Sequence, residues 1–394
     1  MHFPMNKIAT PQQSGRLLSL DILRGITIAG MIMVNNPGSW SNAYEPLRHA
    51  SWHGFTPTDL VFPFFMFIMG VSTFMSLRKF NFDPTGAALW KVVRRTILIF
   101  IIGLALGWFG QFCRGLASGE SLTEAATHFN TLRILGVLQR LALSYGFAAL
   151  IALTTRGKGL VWIIGILLFG YYLILKLGNG FDLSEQNIIS VVDRAILGSD
   201  HMYKDRTPDG VRISFDPEGI LSTIPSIAHV LIGFLFGGLI IKNKDNHTRV
   251  EKLLIWGTVL AFSGLLLKYG CPINKKIWSP TFVLTTTGLA AQLLGLLIWI
   301  IDINEKRKWS RFFHAFGVNP LIVYVFAGVM ATLMSNVKFN WEGELISIKS
   351  FIYSELIQPW AAGNFGSLLY ALFFVSLCWL FGYILYKRNI YIKI

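Results

Sequence analysis

Apolar runs of about 20 residues, separated by polar links, recur along the whole of this sequence. They fall at 18–36, 59–77, 92–109, 134–154, 159–177, 220–241, 252–268, 281–301, 312–335 and 366–386. A helix of that length crosses a hydrocarbon core about 30 Å thick, and a helix satisfies its own backbone hydrogen bonds there. The pattern therefore predicts an all-α, polytopic membrane helix bundle with about ten transmembrane helices. The links at 178–219 and 336–365 exceed ordinary connections and are expected to hold short helices that cover a cavity. No internal repeat stands out, which weakens an inverted-repeat transporter architecture. Small-residue spacings at Gly103 to Gly107 and Gly233 to Gly237 read as sites of close helix approach.

Composition agrees with that class. Of 394 residues, 53% are hydrophobic and only 14% charged, against about 25% charged in soluble domains. The net charge of +14 raises nucleic acid as a partner, but no basic patch interleaved with aromatics occurs in a soluble segment, so none is expected. The charge has a membrane explanation: more than half of the 35 basic residues lie in segments on one side of the predicted bundle, from Lys7 and Arg16 to Lys387, Arg388 and Lys393. The alternate links 37–58 and 110–133 hold only Arg48, Arg114 and Arg133, and 178–219 is rich in acids. Basic residues mark the cytoplasmic side, so an even helix count with both termini cytoplasmic is expected, and 178–219 and 336–365 become extracytoplasmic loops. The polar stretch before the first run carries no sign of a cleavable leader, and residues 1–394 read as one transmembrane domain. Cys113, Cys271 and Cys378 give no metal motif; Cys113 and Cys271 fall in outer links, where an oxidising compartment could pair them.

Ionisable and amide side chains within membrane helices are candidates for function. Asp21 and Arg24 are three apart near the inner end of the first helix, placed either to pair or to hold an anion. Asn35 lies at that helix's outer end, and Gln139 and Arg140 interrupt the fourth run. Asp216-Pro217-Glu218-Gly219 precedes the sixth run, where a carboxylate can cap helix amides. Asn274-Lys275-Lys276-Ile277-Trp278-Ser279 precedes the eighth, and Asn319-Pro320 breaks the ninth. The densest polar stretch runs from His49 through Trp52, His53 and Gly54 to Asp59, between two greasy segments. Two histidines four apart could share a metal on a helix, but Gly54 and Pro57 argue against a helix there and no third ligand is evident, so no metal is expected. A histidine with a neighbouring carboxylate instead suggests a general base, with Asp59 either orienting the ring or capping the next helix.

Taken together these segments resemble the membrane acetyltransferases typified by heparan-α-glucosaminide N-acetyltransferase. The resemblance rests on Arg16 to Gly25, Val34-Asn35, His49 to Trp52, Asp59 to Pro63, Phe67 to Gly70, Gly136 to Arg140, Asp216 to Leu221, Pro272 to Lys275 with Trp278-Ser279, and Gly317 to Asn319. These blocks keep their order across about residues 16 to 330. The resemblance implies transfer of acetyl from cytoplasmic acetyl-CoA to the amine of glucosamine, or of a glucosamine-terminated glycan, on the far side. It maps the catalytic histidine to His49 and an active-site asparagine to Asn35; Asp59, from its place in the same polar stretch, is the third residue expected to take part in catalysis. Arg24, Arg94 and Arg95 would draw CoA phosphates to the inner mouth, with Gln139 and Arg140 as further donor contacts. Trp52, His53, Glu218, Asn274, Lys275, Trp278 and Asn319 are the expected acceptor contacts. His53 and Phe55 depart from the lysosomal pattern, and that enzyme's luminal N-terminal domain is not expected here. The setting implied is the cytoplasmic membrane of a bacterium, with a homodimer as an option. The alternatives are an amino-sugar transporter and an acyltransferase acting on another cell-envelope glycan.

Overall fold

A computed structural model describes residues 17–207 and 209–392; Lys7, Arg16 and Lys393 lie outside that range. Helix α1 (Leu18–Asn35) leads through the short turns Glu45–Leu47 and Pro57–Leu60 into α2 (Val61–Leu77). Next come α3 (Gly86–Ala117), α4 (Leu122–Ala126), α5 (Val137–Thr154), α6 (Lys158–Leu177) and α7 (Ile188–Leu197). A hairpin of β1 (Lys204–Arg206) and β2 (Arg212–Ser214) precedes α8 (Thr223–Lys242), α9 (Asn246–Leu267) and α10 (Pro280–Leu297), the last prolonged by the wider turns Ile298–Ile303. After α11 (Arg311–Val318) and α12 (Pro320–Asn336), a second hairpin pairs β3 (Lys338–Trp341) with β4 (Glu344–Ser347). Then α13 (Ile348–Ser350), the helical turns Phe351–Ile357 and α14 (Gly363–Lys387) complete the fold.

Among the described residues, nine helical stretches are long and apolar enough to cross a membrane, and α11 with α12 forms a tenth span bent by 88°. The protein is thus the all-α polytopic bundle expected, with its ninth span broken at Asn319-Pro320. Proline at the first position of α12 is tolerated because that amide has no helical partner. The helices sort into two rings. More than 60% of the apolar stretch is buried in α1, α2, α5, α8 and α10, against 11% in α3, 22% in α9, 28% in α6 and 33% in α14. The second group faces lipid, as hydrophobicity without burial requires.

Close packing inside the inner ring depends on glycine. A Cβ on Gly70 of α2 would strike the Val230 carbonyl of α8, and one on Gly233 the Phe67 carbonyl, so those two backbones touch. Gly25 of α1 and Gly317 of α11 approach in the same way. Leu17, Tyr391 and Ile392 line one cavity, which puts both ends of the described chain on one face of the bundle.

Three local expectations change. The third span runs over 32 residues rather than 92–109. Thr85 caps its start, and no glycine turn stops it until Ser118 and Gly119 (φ +90°), so the helix continues past the lipid. Cys113 therefore lies within α3, not in a link, and all three cysteines are free. The long links hold hairpins as well as short helices.

Candidate active site

The stretch between α1 and α2 is irregular apart from its two short helical turns, and its polar residues are hydrogen-bonded around one carboxylate. Asp59 is its anchor. Its Oδ2 accepts from the amides of Ala50 and Thr56 at 3.0 Å each and from Thr56 Oγ1 at 3.2 Å. Its Oδ1 lies 2.7 Å from His49 Nδ1. Capping and orienting were alternatives in the sequence; this buried carboxylate does both, one oxygen for each. His49 is 40% exposed while Asp59 is 1% exposed, so the ring reaches outward from a fixed base. Among the described residues His49 Nε2 has no hydrogen-bond partner, which leaves that nitrogen to face a ligand.

A second loop, over 200 residues away in the chain, closes the site. Gly54 (φ +90°) donates its amide to the Ile273 carbonyl at 2.7 Å and bridges Asn274 as a parallel pair. That docking brings Lys275 Nζ to 2.9 Å from His49 Nδ1 and 3.1 Å from Asp59 Oδ1. Burial lowers the Lys275 pKa, and Asp59 opposes that shift. The loop is held by Asn274, whose amide donates to Ser279 Oγ at 3.0 Å and whose Oδ1 accepts from the Ile277 amide at 3.2 Å. Trp278 sits buried at φ +51°, a conformation that costs a bulky residue on the order of 1 kcal/mol or more. Its ring packs against Phe62, Phe282 and His229, and the Arg140 guanidinium lies 5.1 Å from its centre.

The remaining expected residues divide by location. Trp52 donates Nε1 to the Phe181 carbonyl at 2.6 Å and lies edge-on to Phe215, which ties the stretch to the 178–219 link. His53 is exposed, with Nδ1 3.4 Å from Asn274 Nδ2. Asn35 is exposed at the end of α1, the end that packs near the turn bearing Asp59; a Cβ at Gly30 would lie 3.5 Å from Val61. Glu218 pairs with Arg133 at 2.5 Å. Burial works against its charge, yet Arg133 and Arg140 hold its pKa below the usual range.

At the opposite end of α1, Arg24 donates to Asp21 at 3.0 Å and to Ser72 Oγ at 2.7 Å. All three line a cavity of about 520 Å³ together with Met75, Val318 and Tyr391. Arg94 and Arg95, expected beside Arg24, do not line it; Arg95 stacks on Tyr145, 4.6 Å from the ring centre. Gln139 and Arg140 are buried in the first turn of α5, Arg140 against Trp278 and Gln139 against Gly103 of α3, and neither lines the Arg24 cavity, because that turn starts on the His49 face. Asn319 is displaced the other way. Its amide donates to the Ile390 carbonyl at 2.8 Å and its Oδ1 accepts from the Ile392 amide at 2.9 Å, so it clamps the chain end on the Arg24 face rather than an acceptor opposite. Among the described residues no cluster of three His, Cys, Asp or Glu side chains could hold a metal.

Several partners escaped the sequence. Arg133 makes a two-pronged pair with Asp216, at 2.9 and 2.6 Å, besides its pair with Glu218. Asp216 and Glu218, one of which could have capped α8, both bind this guanidinium, and Asp193 of α7 takes the amides of Ile220 and Leu221 at 3.0 and 3.2 Å. Burial raises Asp193 to about 6. Arg140 donates to Ser222 Oγ. His229 is fully buried in the second turn of α8, and only the break it makes in an apolar run could have flagged it.

The fold and the geometry define a class: a polytopic helical membrane protein with a histidine–carboxylate pair at one face and a cavity walled by an Arg24–Asp21 ion pair at the other. Comparison with known proteins narrows it. The chain is 28% identical over 368 residues to the human protein "Heparan-alpha-glucosaminide N-acetyltransferase", covering 79% of this chain and 52% of that one. The mouse protein of the same name is 26% identical over 432 aligned positions, covering 97% of this chain and 61% of its own length. No protein-family model matches. The two alignments support a family like that of heparan-alpha-glucosaminide N-acetyltransferase, in line with the resemblance of the motifs. The chain spans between about half and three fifths of the length of these relatives.

Proposed function

We propose that this chain is a transmembrane N-acetyltransferase that takes acetyl from acetyl-CoA on the Arg24 face and delivers it to the amine of glucosamine, or of a glucosamine-containing sugar, on the His49 face. The names of the two relatives and the two-sided site support the reading. Its setting would be the cytoplasmic membrane of a bacterium, with the Arg24 face inward, as the distribution of basic residues suggests.

The observation that carries the proposal is the His49–Asp59 pair at 2.7 Å, with Nε2 left open. A carboxylate that accepts from Nδ1–H fixes the ring and leaves Nε2 as the proton acceptor. Asp59 also stabilises the charge the ring gains on accepting a proton. Asn35, at the neighbouring helix end, can donate to a developing oxyanion.

We place the elongated anionic donor at the other face, where the cavity of about 520 Å³ has the Arg24 guanidinium, paired there with Asp21, and the Ser72 hydroxyl at its wall; guanidinium is the side chain suited to phosphate. Acetyl-CoA supplies a thioester-activated acetyl group. From Arg24 to Asn35 is about 16 Å of helix. Between them Ile28, Met31, Leu138, Leu321 and Tyr324 enclose an apolar gap of only about 20 Å³, so those side chains must part to admit a slender arm. In the transfer an amide C–N bond forms, the thioester C–S bond breaks, and the amine proton passes to Nε2 and then to the departing sulfur.

The test is purified protein in detergent with acetyl-CoA and a panel of amino sugars. Release of free thiol matched by N-acetylglucosamine is expected. Absence of thiol release with every amino sugar overturns the proposal, and uptake of unmodified sugar into proteoliposomes would identify a transporter.

A further inference from the structure

Asp59 explains only half of the surroundings of His49. Its carboxylate, 2.7 Å from Nδ1, stabilises a protonated ring, and a ring already protonated cannot accept a proton. A second charge stands at the same nitrogen: Lys275 Nζ, 2.9 Å from Nδ1 and 3.1 Å from Asp59 Oδ1. The ammonium opposes a positive ring as the carboxylate favours one. One Nδ1 cannot donate to Asp59 and accept from Lys275 together. The ionised carboxylate is the stronger acceptor, so both Nδ1–H and Lys275 point their protons at Asp59.

The placement is built rather than incidental. Lys275 is only 20% exposed, and its backbone is locked by the Gly54–Asn274 bridge and by the Trp278 amide, which donates to the Lys275 carbonyl at 3.0 Å. The charges acting on it are those of Asp59, Glu218 and Lys276; Lys276 is itself paired with Asp205 at 2.6 Å.

We propose that Lys275 is a positioning residue of the catalytic pair: its charge offsets that of Asp59 beside Nδ1, which keeps the Nδ1 proton directed at the carboxylate and Nε2 open. This rests on the reading of His49 as the base, but it concerns the ring's resting state and can be measured without substrates. It gives Lys275 a role beyond contact with an acceptor.

Diethyl pyrocarbonate modifies neutral imidazole, and His49 is exposed enough to react. The extent of modification of His49 is followed by peptide mass spectrometry against pH in the full-length protein, with exposed His53 as the internal reference. In Lys275→Met the acid limb of the His49 curve should move up by about one pH unit, while Lys275→Arg, which keeps the charge, stays with the wild type. The His53 curve should stay put in all three. Should Lys275→Met not fold, as judged by its thermal midpoint, Lys275→Gln replaces it. An unmoved His49 limb in the neutral variant overturns the role, as does an equal shift in Lys275→Arg. Loss of acetyl transfer with an unchanged limb would return Lys275 to acceptor binding. Failure of every amino sugar to release thiol would sink the acetyltransferase reading and leave this titration result standing.

Discussion

The two ends of α1 carry opposite kinds of polarity. At the His49 end, a buried carboxylate is saturated by backbone amides, a hydroxyl, an imidazole and an ammonium, and the polar atoms of two remote loops lock together. At the Arg24 end, a guanidinium that donates to Asp21, to Ser72 and to the Gly317 carbonyl stands in the wall of an open cavity of about 520 Å³. A fixed network suits a group that must orient a proton, because small misplacements are costly there. An open mouth with one ion pair in its wall suits, under the proposed function, a ligand drawn by charge, where charge matters more than angle. The apolar gap between them keeps the two faces apart.

Breaking the fixed end should have the largest effect. His49→Ala is expected to lower turnover about 10²–10⁴-fold with little loss of thermal stability, since that ring is half exposed; thiol release and a melting curve measure both. Near-normal acetylation would remove His49 from the chemistry. Asp59→Asn should cut turnover by about 10²-fold and also lower stability by roughly 1–3 kcal/mol, because the amides of Ala50 and Thr56, the His49 ring and Lys275 lose a charged acceptor. A variant that loses activity without stability would mean that the capping bonds contribute nothing.

Filling the gap sharpens the comparison. Met31→Trp adds volume where only about 20 Å³ is free. Turnover should fall tenfold or more, while CoA still binds with its wild-type Kd in a titration; equal loss of both would show that donor and gap are not separate. Arg24→Ala probes the open end: the KM for acetyl-CoA should rise about tenfold with kcat nearly unchanged, and an unchanged KM would place the phosphates elsewhere.

The smallest effect concerns Asp193. Its folded pKa of about 6 lies above the ordinary 3.8, so ionising it costs folding free energy. Stability is full below pH 4 for this group and declines as pH rises from about 4 to about 6, by on the order of 2 kcal/mol. Asp193→Asn keeps an oxygen for the Ile220 and Leu221 amides and should flatten that decline. Thermal midpoints at pH 4.5 and 7 check it, and a slope equal to wild type would exclude the carboxylate.

Hydropathy made the spans legible because insertion into lipid depends on local composition, and the ten apolar runs correspond to the nine spans and the bent pair found among the described residues. Helix ends were less legible: α3 overshoots its apolar run at both ends, since helix formation stops at turn residues rather than at the edge of the lipid. The proximity of His49 and Asp59 lies within one short stretch and was within reach of the sequence. Asn319 was misplaced because a break between helices carries no mark of which face it serves. Arg140 was grouped with Arg24 because charge alone does not say at what depth a residue lies.

The sequence by itself determined an all-helical membrane bundle, its approximate spans and the polar stretch from His49 to Asp59, all consequences of hydropathy and short-range spacing. Only the tertiary structure decided that Lys275, 226 residues from His49, meets the same ring nitrogen, that Arg133 gathers Asp216 and Glu218, and that Asp193 serves the approach to α8. The physical reason is range. Burial of apolar length is set residue by residue along the chain, whereas a contact between loops depends on how whole helices dock, here through glycine contacts such as Gly70 with α8 and the Gly54–Asn274 bridge.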